Sequence, residues 1–205
     1  MIAGLFGMLA TGIVSAQDKA APKAAEKAPM KAVASATKPQ VEMRTSAGTI
    51  VIELDPAAAP KSVENFLEYV KSGFYEGTVF HRVIKGFMIQ GGGFDKAMTQ
   101  KPTRDAIQNE AEAALKAGLK NDRGTIAMAR TNAPHSATAQ FFINHVNNDR
   151  LTHPSFDGWG YAVFGKVVSG MDVVDKIAEM PVANNGPHQN VPTTAVVIEK
   201  VTLKK

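Results

Sequence analysis

The chain contains no cysteine among its 205 residues. That excludes disulfides, Cys-ligated zinc and a thiol nucleophile. It leaves the compartment open, since exported proteins can lack cysteine too. A long apolar run is missing as well. The run at the front, MIAGLFGMLATGIVSAQ, has about 14 apolar residues, short of the ~20 that cross a bilayer as a helix. Charge of one sign is scarce in the body. The net charge is +4, and residues 1–40 supply most of it, with five lysines against Asp18 and Glu26. Beyond residue 40, 18 basic residues face 17 acidic ones. No basic face of the kind nucleic acid needs is expected from that balance. The metalloprotease pattern H-E-x-x-H and the nucleophile elbow G-x-S-x-G are also absent. His81, His135, His145, His153 and His188 are scattered singly, so no metal site is expected.

The front of the chain shows two compositions. Residues 1–16 resemble a secretory signal: an apolar run closing on Val14-Ser15-Ala16, a small-residue cleavage pattern, although no basic residue precedes the run. Export to the periplasm is the expected consequence. The alternative is a buried or frayed N-terminus in a cytoplasmic protein. Residues 17–40 are Ala, Lys and Pro with almost no large apolar side chain. Such a segment cannot bury enough surface to offset its ordering entropy. It reads as a flexible linker before a single domain at 41–205.

The body reads as mainly β. Val41–Thr45 and Thr49–Leu54 form a hairpin through Ser46-Ala47-Gly48. Pro60 opens a helix at the position where a missing N–H costs nothing. Val63, Phe66, Leu67 and Val70 give it one apolar face, and Gly73 is placed to cap it. Strands are expected at 78–84, 87–90, 125–130, 141–146, 161–168 and 193–203. A second helix is expected at 171–179, with Val173, Val174 and Ile177 inward. About eight strands and two helices without a βαβ rhythm favour a closed antiparallel barrel capped by helices.

One stretch is chemically odd. FHRVIKGFMIQGGG (80–93) sets Arg82 inside an apolar strand and ends in three glycines. The glycines fit neither phosphate-binding pattern, and no helix opens after them. Glycines after a strand permit a bulge or a close backbone approach. If 80–90 and 140–143 are neighbouring strands, alternation puts Arg82 and Gln90 near an apolar cup of Phe87, Met88 and Phe142. Such a site has a cation, amides and a hydrophobic cup, without an acid or base. Taken alone, the apolar residues would equally suit a core, with Arg82 reaching outward.

FHRVIKGFMIQGGG and TAQFFI (138–143) resemble the two active-site strands of the cyclophilins. GTIAMAR (124–130) and YAVFGKVVSGMDVVDKI (161–177) resemble further cyclophilin segments in the same order, and the wording is most similar to the bacterial branch. The resemblance covers residues 41–205. It implies an eight-stranded barrel and a peptidyl-prolyl cis–trans isomerase that assists protein folding, with no cofactor. It makes Arg82 the catalytic arginine with Gln90 beside it. Phe87, Met88, Phe142 and Leu151 become the proline pocket, and Gln140 a polar partner. Ala129 and the backbone of Arg130 would pair with substrate main chain, and Tyr161 stands where many eukaryotic members have histidine. Arg130 replaces a common asparagine, and Arg150 the tryptophan tied to cyclosporin binding. The implied partners are proline-containing polypeptides and unfolded clients. Nucleic acid is not among them, nor is stable membrane insertion once the front segment is removed, and a monomer is expected.

Overall fold

Alternation in the expected strands resolves into one antiparallel sheet that curls on itself. The computed structural model describes residues 38–204. The signal and linker readings therefore lie outside the described residues, save for its last few. The chain runs β1 (Gln40–Thr45), β2 (Gly48–Leu54), α1 (Pro60–Lys71), β3 (Thr78–Ile84) and β4 (Met88–Asp95). It continues through α2 (Ala111–Lys116), β5 (Thr125–Met128), β6 (Phe141–Asn144), β7 (Val163–Ser169) and α3 (Met171–Ala178). It ends with β8 (Val182–Asn185), β9 (His188–Pro192) and β10 (Ile198–Leu203). Eight strands share the order β10-β1-β2-β7-β5-β6-β4-β3. The two ends meet where Phe80 N–H donates to Val196 O at 3.0 Å and Gly77 N–H to Ile198 O at 2.9 Å. Closing the sheet removes its exposed edges.

Two apolar clusters form on opposite faces of the same strands. The larger fills the barrel and includes Phe66 from α1 and Val174 and Ile177 from α3. Phe80, Val83, Ile89, Ile126, Phe141, Ile143 and Phe164 face inward to it. The smaller cluster, built on Met88, Ala127, Phe142, Leu151 and Val163, lies on the outer face. That outer patch is the foundation of the site described below.

The structure departs from the sequence reading in four places. Among the described residues there are three α-helices rather than two: α2 is six residues long, with only Ala111 and Ala114 buried. Its apolar face is too short and too small for periodicity to reveal. Strand β4 runs on through Gly91, Gly92 and Gly93 to Asp95, where no side chains alternate. The closing strand starts at Ile198 rather than Thr193. Between α3 and β10 lies the hairpin β8–β9, paired in register Val182↔Pro192. Its strand β8 is exposed throughout, so it carries no burial pattern to read. Gly73 follows the Ser72 cap of α1 with φ +67, the left-handed geometry glycine tolerates.

Candidate active site

Strict alternation would put Phe80 and Arg82 on one face of β3. The structure separates them with a β-bulge. Phe80 pairs with Gly91 and Arg82 with Gln90, so two residues of β3 oppose one step of β4. The extra residue is His81. A bulge of this kind re-aims a side chain. Phe80 is thereby kept in the core at 1% exposure, while Arg82 reaches the outer face, half-buried. The bulge is how an apolar strand carries a cation without burying it.

Pairing of β4 with β6 sets Gln90 opposite Phe142. Arg82, Phe87, Met88, Gln90, Ala129, Arg130, Phe142, Leu151 and Tyr161 line one pocket of about 100 Å³. Met88, Phe142 and Leu151 form its apolar floor. Phe142 meets Tyr161 edge-on at 5.7 Å. Gln140, the tenth expected residue, stands one layer behind. Its Oε1 accepts from Gln90 Nε2 at 3.0 Å, and Gln90 Oε1 accepts from Arg82 Nη1 at 3.4 Å. Among the described ion pairs none engages Arg82. Its donors are therefore available to a ligand in the cup. A larger groove of about 870 Å³ lies between α1 and the 104–108 segment. Its walls carry Lys61, Glu64, Glu68, Arg104 and Asp105, a mixed ionic surface without an apolar cup.

Arg130 does more than its expected backbone role. Its side chain is 3% exposed and forms an ion pair with Asp157. Nε and Nη2 donate to Gly160 O at 3.1 and 3.0 Å, and Nη1 donates to Thr131 O at 3.0 Å. The guanidinium lies over the Tyr161 ring, 4.4 Å from its centroid. Arg130 thus fixes the pocket wall and ties down the loop through Asp157. Sequence reading missed Asp157; the only local signal was the turn-forming Asp-Gly pair in FDGWG.

Desolvation pushes the Asp157 carboxyl up, but the Arg130 hydrogen bond and the amides of Gly160 and Trp159 outweigh it and hold it at about 2. A carboxylate lowered on folding stabilises the protein above its ordinary value near 3.8, and that contribution is lost as pH falls toward about 2. The stability gap between wild type and Asp157→Asn, read from urea titrations, should be constant at neutral pH. It should close over that acid window. A gap that persists unchanged at the acid end would contradict the ion-pair assignment.

Residues 40–203 of this barrel match the model of one family, the cyclophilin type peptidyl-prolyl cis–trans isomerases. The chain belongs to this family. A Streptomyces antibioticus peptidyl-prolyl cis–trans isomerase is 59% identical over 165 residues, covering 80% of this chain and 97% of that protein. Peptidyl-prolyl cis–trans isomerase B of Escherichia coli K12 is 56% identical over 167 residues, covering 80% of this chain and 99% of that protein. A crystal structure of a Cryptosporidium parvum cyclophilin type isomerase superimposes with TM-score 0.69 at 28% identity, covering 82% of this chain and 98% of that one. The protein is a peptidyl-prolyl cis–trans isomerase, and its substrates are proline-containing polypeptides.

Proposed function

We propose that Arg82 accelerates X–Pro rotation by donating to the amide nitrogen of the twisted bond, while the cup of Phe87, Met88, Phe142 and Leu151 grips the proline ring. Rotation is slow because amide resonance must be broken, a barrier of about 20 kcal/mol. No bond to substrate need form. At the twisted state the nitrogen becomes pyramidal and more basic, so a donor aimed there binds that state better than either planar form. Each tenfold in rate requires about 1.4 kcal/mol, and a charge-assisted hydrogen bond supplies a few such steps at most. The apolar grip contributes the rest by holding the ring while the preceding residue turns. The observation that carries this reading is the chain Arg82–Gln90–Gln140, which holds at an apolar cup a guanidinium that joins none of the described ion pairs. Its test is the loss of turnover on replacing Arg82, argued in the Discussion.

The biological role that fits is assistance to folding of exported proteins. Rescue of a proline-limited folding substrate by wild type, compared with Arg82→Ala, separates catalysis from mere holding. Equal rescue by both would leave only a proline-binding chaperone. The mature N-terminus in fractionated cells decides export. Arg150 is exposed beside Leu151, in the short 3-10 turn Asp149–Leu151. Cyclosporin affinity is expected to be weak with isomerase activity kept; nanomolar inhibition would overturn the role given to this position.

A further inference from the structure

Beyond the proline cup the outer face continues into a second cavity that shares only Arg82 with it. It measures about 290 Å³ and is lined by His81, Arg82, Phe94, Pro187, His188 and Gln189. Two features build it. The bulge in β3 turns His81 to the same side as Arg82. The hairpin β8–β9 packs beside β3 and supplies Pro187, His188 and Gln189. Three rings form the wall: Phe94 lies 4.7 Å from His81 and 4.9 Å from His188, centroid to centroid.

Its polar character is one-sided. The lining holds a guanidinium, two imidazoles and an amide, and no carboxylate. The adjacent acid, Asp95, is already bound: its Oδ1 accepts from the amides of Ala97 and Thr99 at 2.8 and 2.9 Å. His81 is 5% exposed, and its Nδ1 has no hydrogen-bond partner among the described residues. Burial, with the charges of His188 and Arg82 assisting, pushes its imidazole down to about 4. It is therefore a neutral polar wall at physiological pH, and Arg82 is the fixed charge.

Sheet order gives the cavity its place along a substrate. From Ala129 at the end of β5, the surface passes Phe142 on β6, Gln90 on β4 and Arg82 on β3, and then reaches the hairpin. Ala129 and Arg130 are the positions expected to pair with substrate main chain. A chain entering there leaves the proline cup across Arg82 toward the hairpin. Neighbouring strands lie about 4.8 Å apart and an extended chain advances about 3.3 Å per residue, so the cavity lies two to three residues past the proline.

We propose that this cavity is a subsite for an acidic side chain at the second or third position after the isomerising proline. Arg82 and His188 receive the carboxylate, Gln189 donates a hydrogen bond, and the Phe94 ring packs on the methylenes. The subsite rests on the direction of the bound chain given above. It makes the hairpin, rather than the proline cup, the element that selects among clients.

The test is kcat/KM for peptides built on Ala-Ala-Pro-Ala-Ala-Ala, with Glu, Gln, Lys or Phe scanned through the positions on both sides of the proline. Wild type, His188→Ala and Gln189→Ala are compared. The all-alanine peptide, which leaves the cavity empty, is the reference. Wild type should favour Glu over Gln by about threefold to tenfold at the second or third position after proline. The preference should shrink at high salt, and each hairpin variant should lose most of it while turning over the all-alanine peptide as wild type does. Absence of a Glu preference, a preference for Phe, or one confined to positions before the proline would overturn the proposal. So would a Glu preference untouched by both hairpin variants, since that would assign it to Arg82 alone. The all-alanine rates keep this outcome separate from failure of the proline cup itself.

Discussion

Arg82→Ala should lower kcat/KM about a hundredfold or more, the scale seen when one donor to a developing charge is removed, while the protein remains folded. The expectation of folding comes from how Arg82 is held. It is half-buried on the outer face, and its one described side-chain partner is Gln90, at 3.4 Å. Removing it leaves no buried charge unpaired. Arg130 is the contrast: at 3% exposure with Asp157 as partner, its loss would strand a carboxylate. Arg82→Lys should fail nearly as badly. Lysine keeps the charge but loses the planar fork that lets one group reach both Gln90 and the substrate nitrogen. Both variants are measured by protease-coupled isomerisation of an X–Pro peptide, with circular dichroism and urea unfolding as the check on fold. Rates near wild type would end the assignment of Arg82 as the donor.

Gly92→Ala and Gly93→Ala should part company, the first losing stability and the second activity. Gly92 has φ +82, and a Cβ there would lie 2.7 Å from the Phe141 ring and 2.9 Å from Tyr75. Both rings are fully buried in the barrel core. A left-handed non-glycine residue costs roughly 1–2 kcal/mol, and forcing a methyl into a packed core roughly 1–3 kcal/mol. The urea midpoint should fall by an amount in keeping with that sum. Gly93 is not among the positive-φ glycines. A Cβ on it would lie 2.5 Å from Gln140 Cγ and 2.8 Å from its Nε2. Gln140 is half-buried and its side chain can swing away, so the fold should survive. Swinging away releases Gln90, and Arg82 loses its tether. Turnover should drop several-fold at nearly unchanged stability. Equal loss of stability in the two variants would show that Gly93 serves packing and not the site. The glycines are thus a device of close approach: Gly92 admits two core rings, and Gly93 admits the side chain that orients the arginine.

The sequence alone determined much of this protein. The helix from Pro60 was readable because its apolar face recurs at helical spacing and proline marks its start. The strands of the first hairpin were readable because one face is apolar and a glycine turn joins them. The site's residue types were readable because a cation among aromatics, bracketed by amides, has few structural explanations. Tertiary structure decided the rest. Every residue of β6, Phe141–Asn144, is buried, since both faces of that strand carry an apolar cluster. Periodicity within β6 is silent when both faces are apolar, so Phe142 was assigned to the site only by supposing that 140–143 neighbours 80–90 and by the resemblance. The bulge at His81 is a property of two strands in register, and no pattern within one strand announces it. The ion pair of Arg130 with Asp157 joins residues 27 positions apart, with the whole of β6 between them. The hairpin beside Arg82 is mostly polar and mostly exposed, so burial left no mark on its sequence. Local periodicity reports the apolar faces of single elements. Where a side chain ends up when two elements meet is set by their register, and register exists only in the folded sheet.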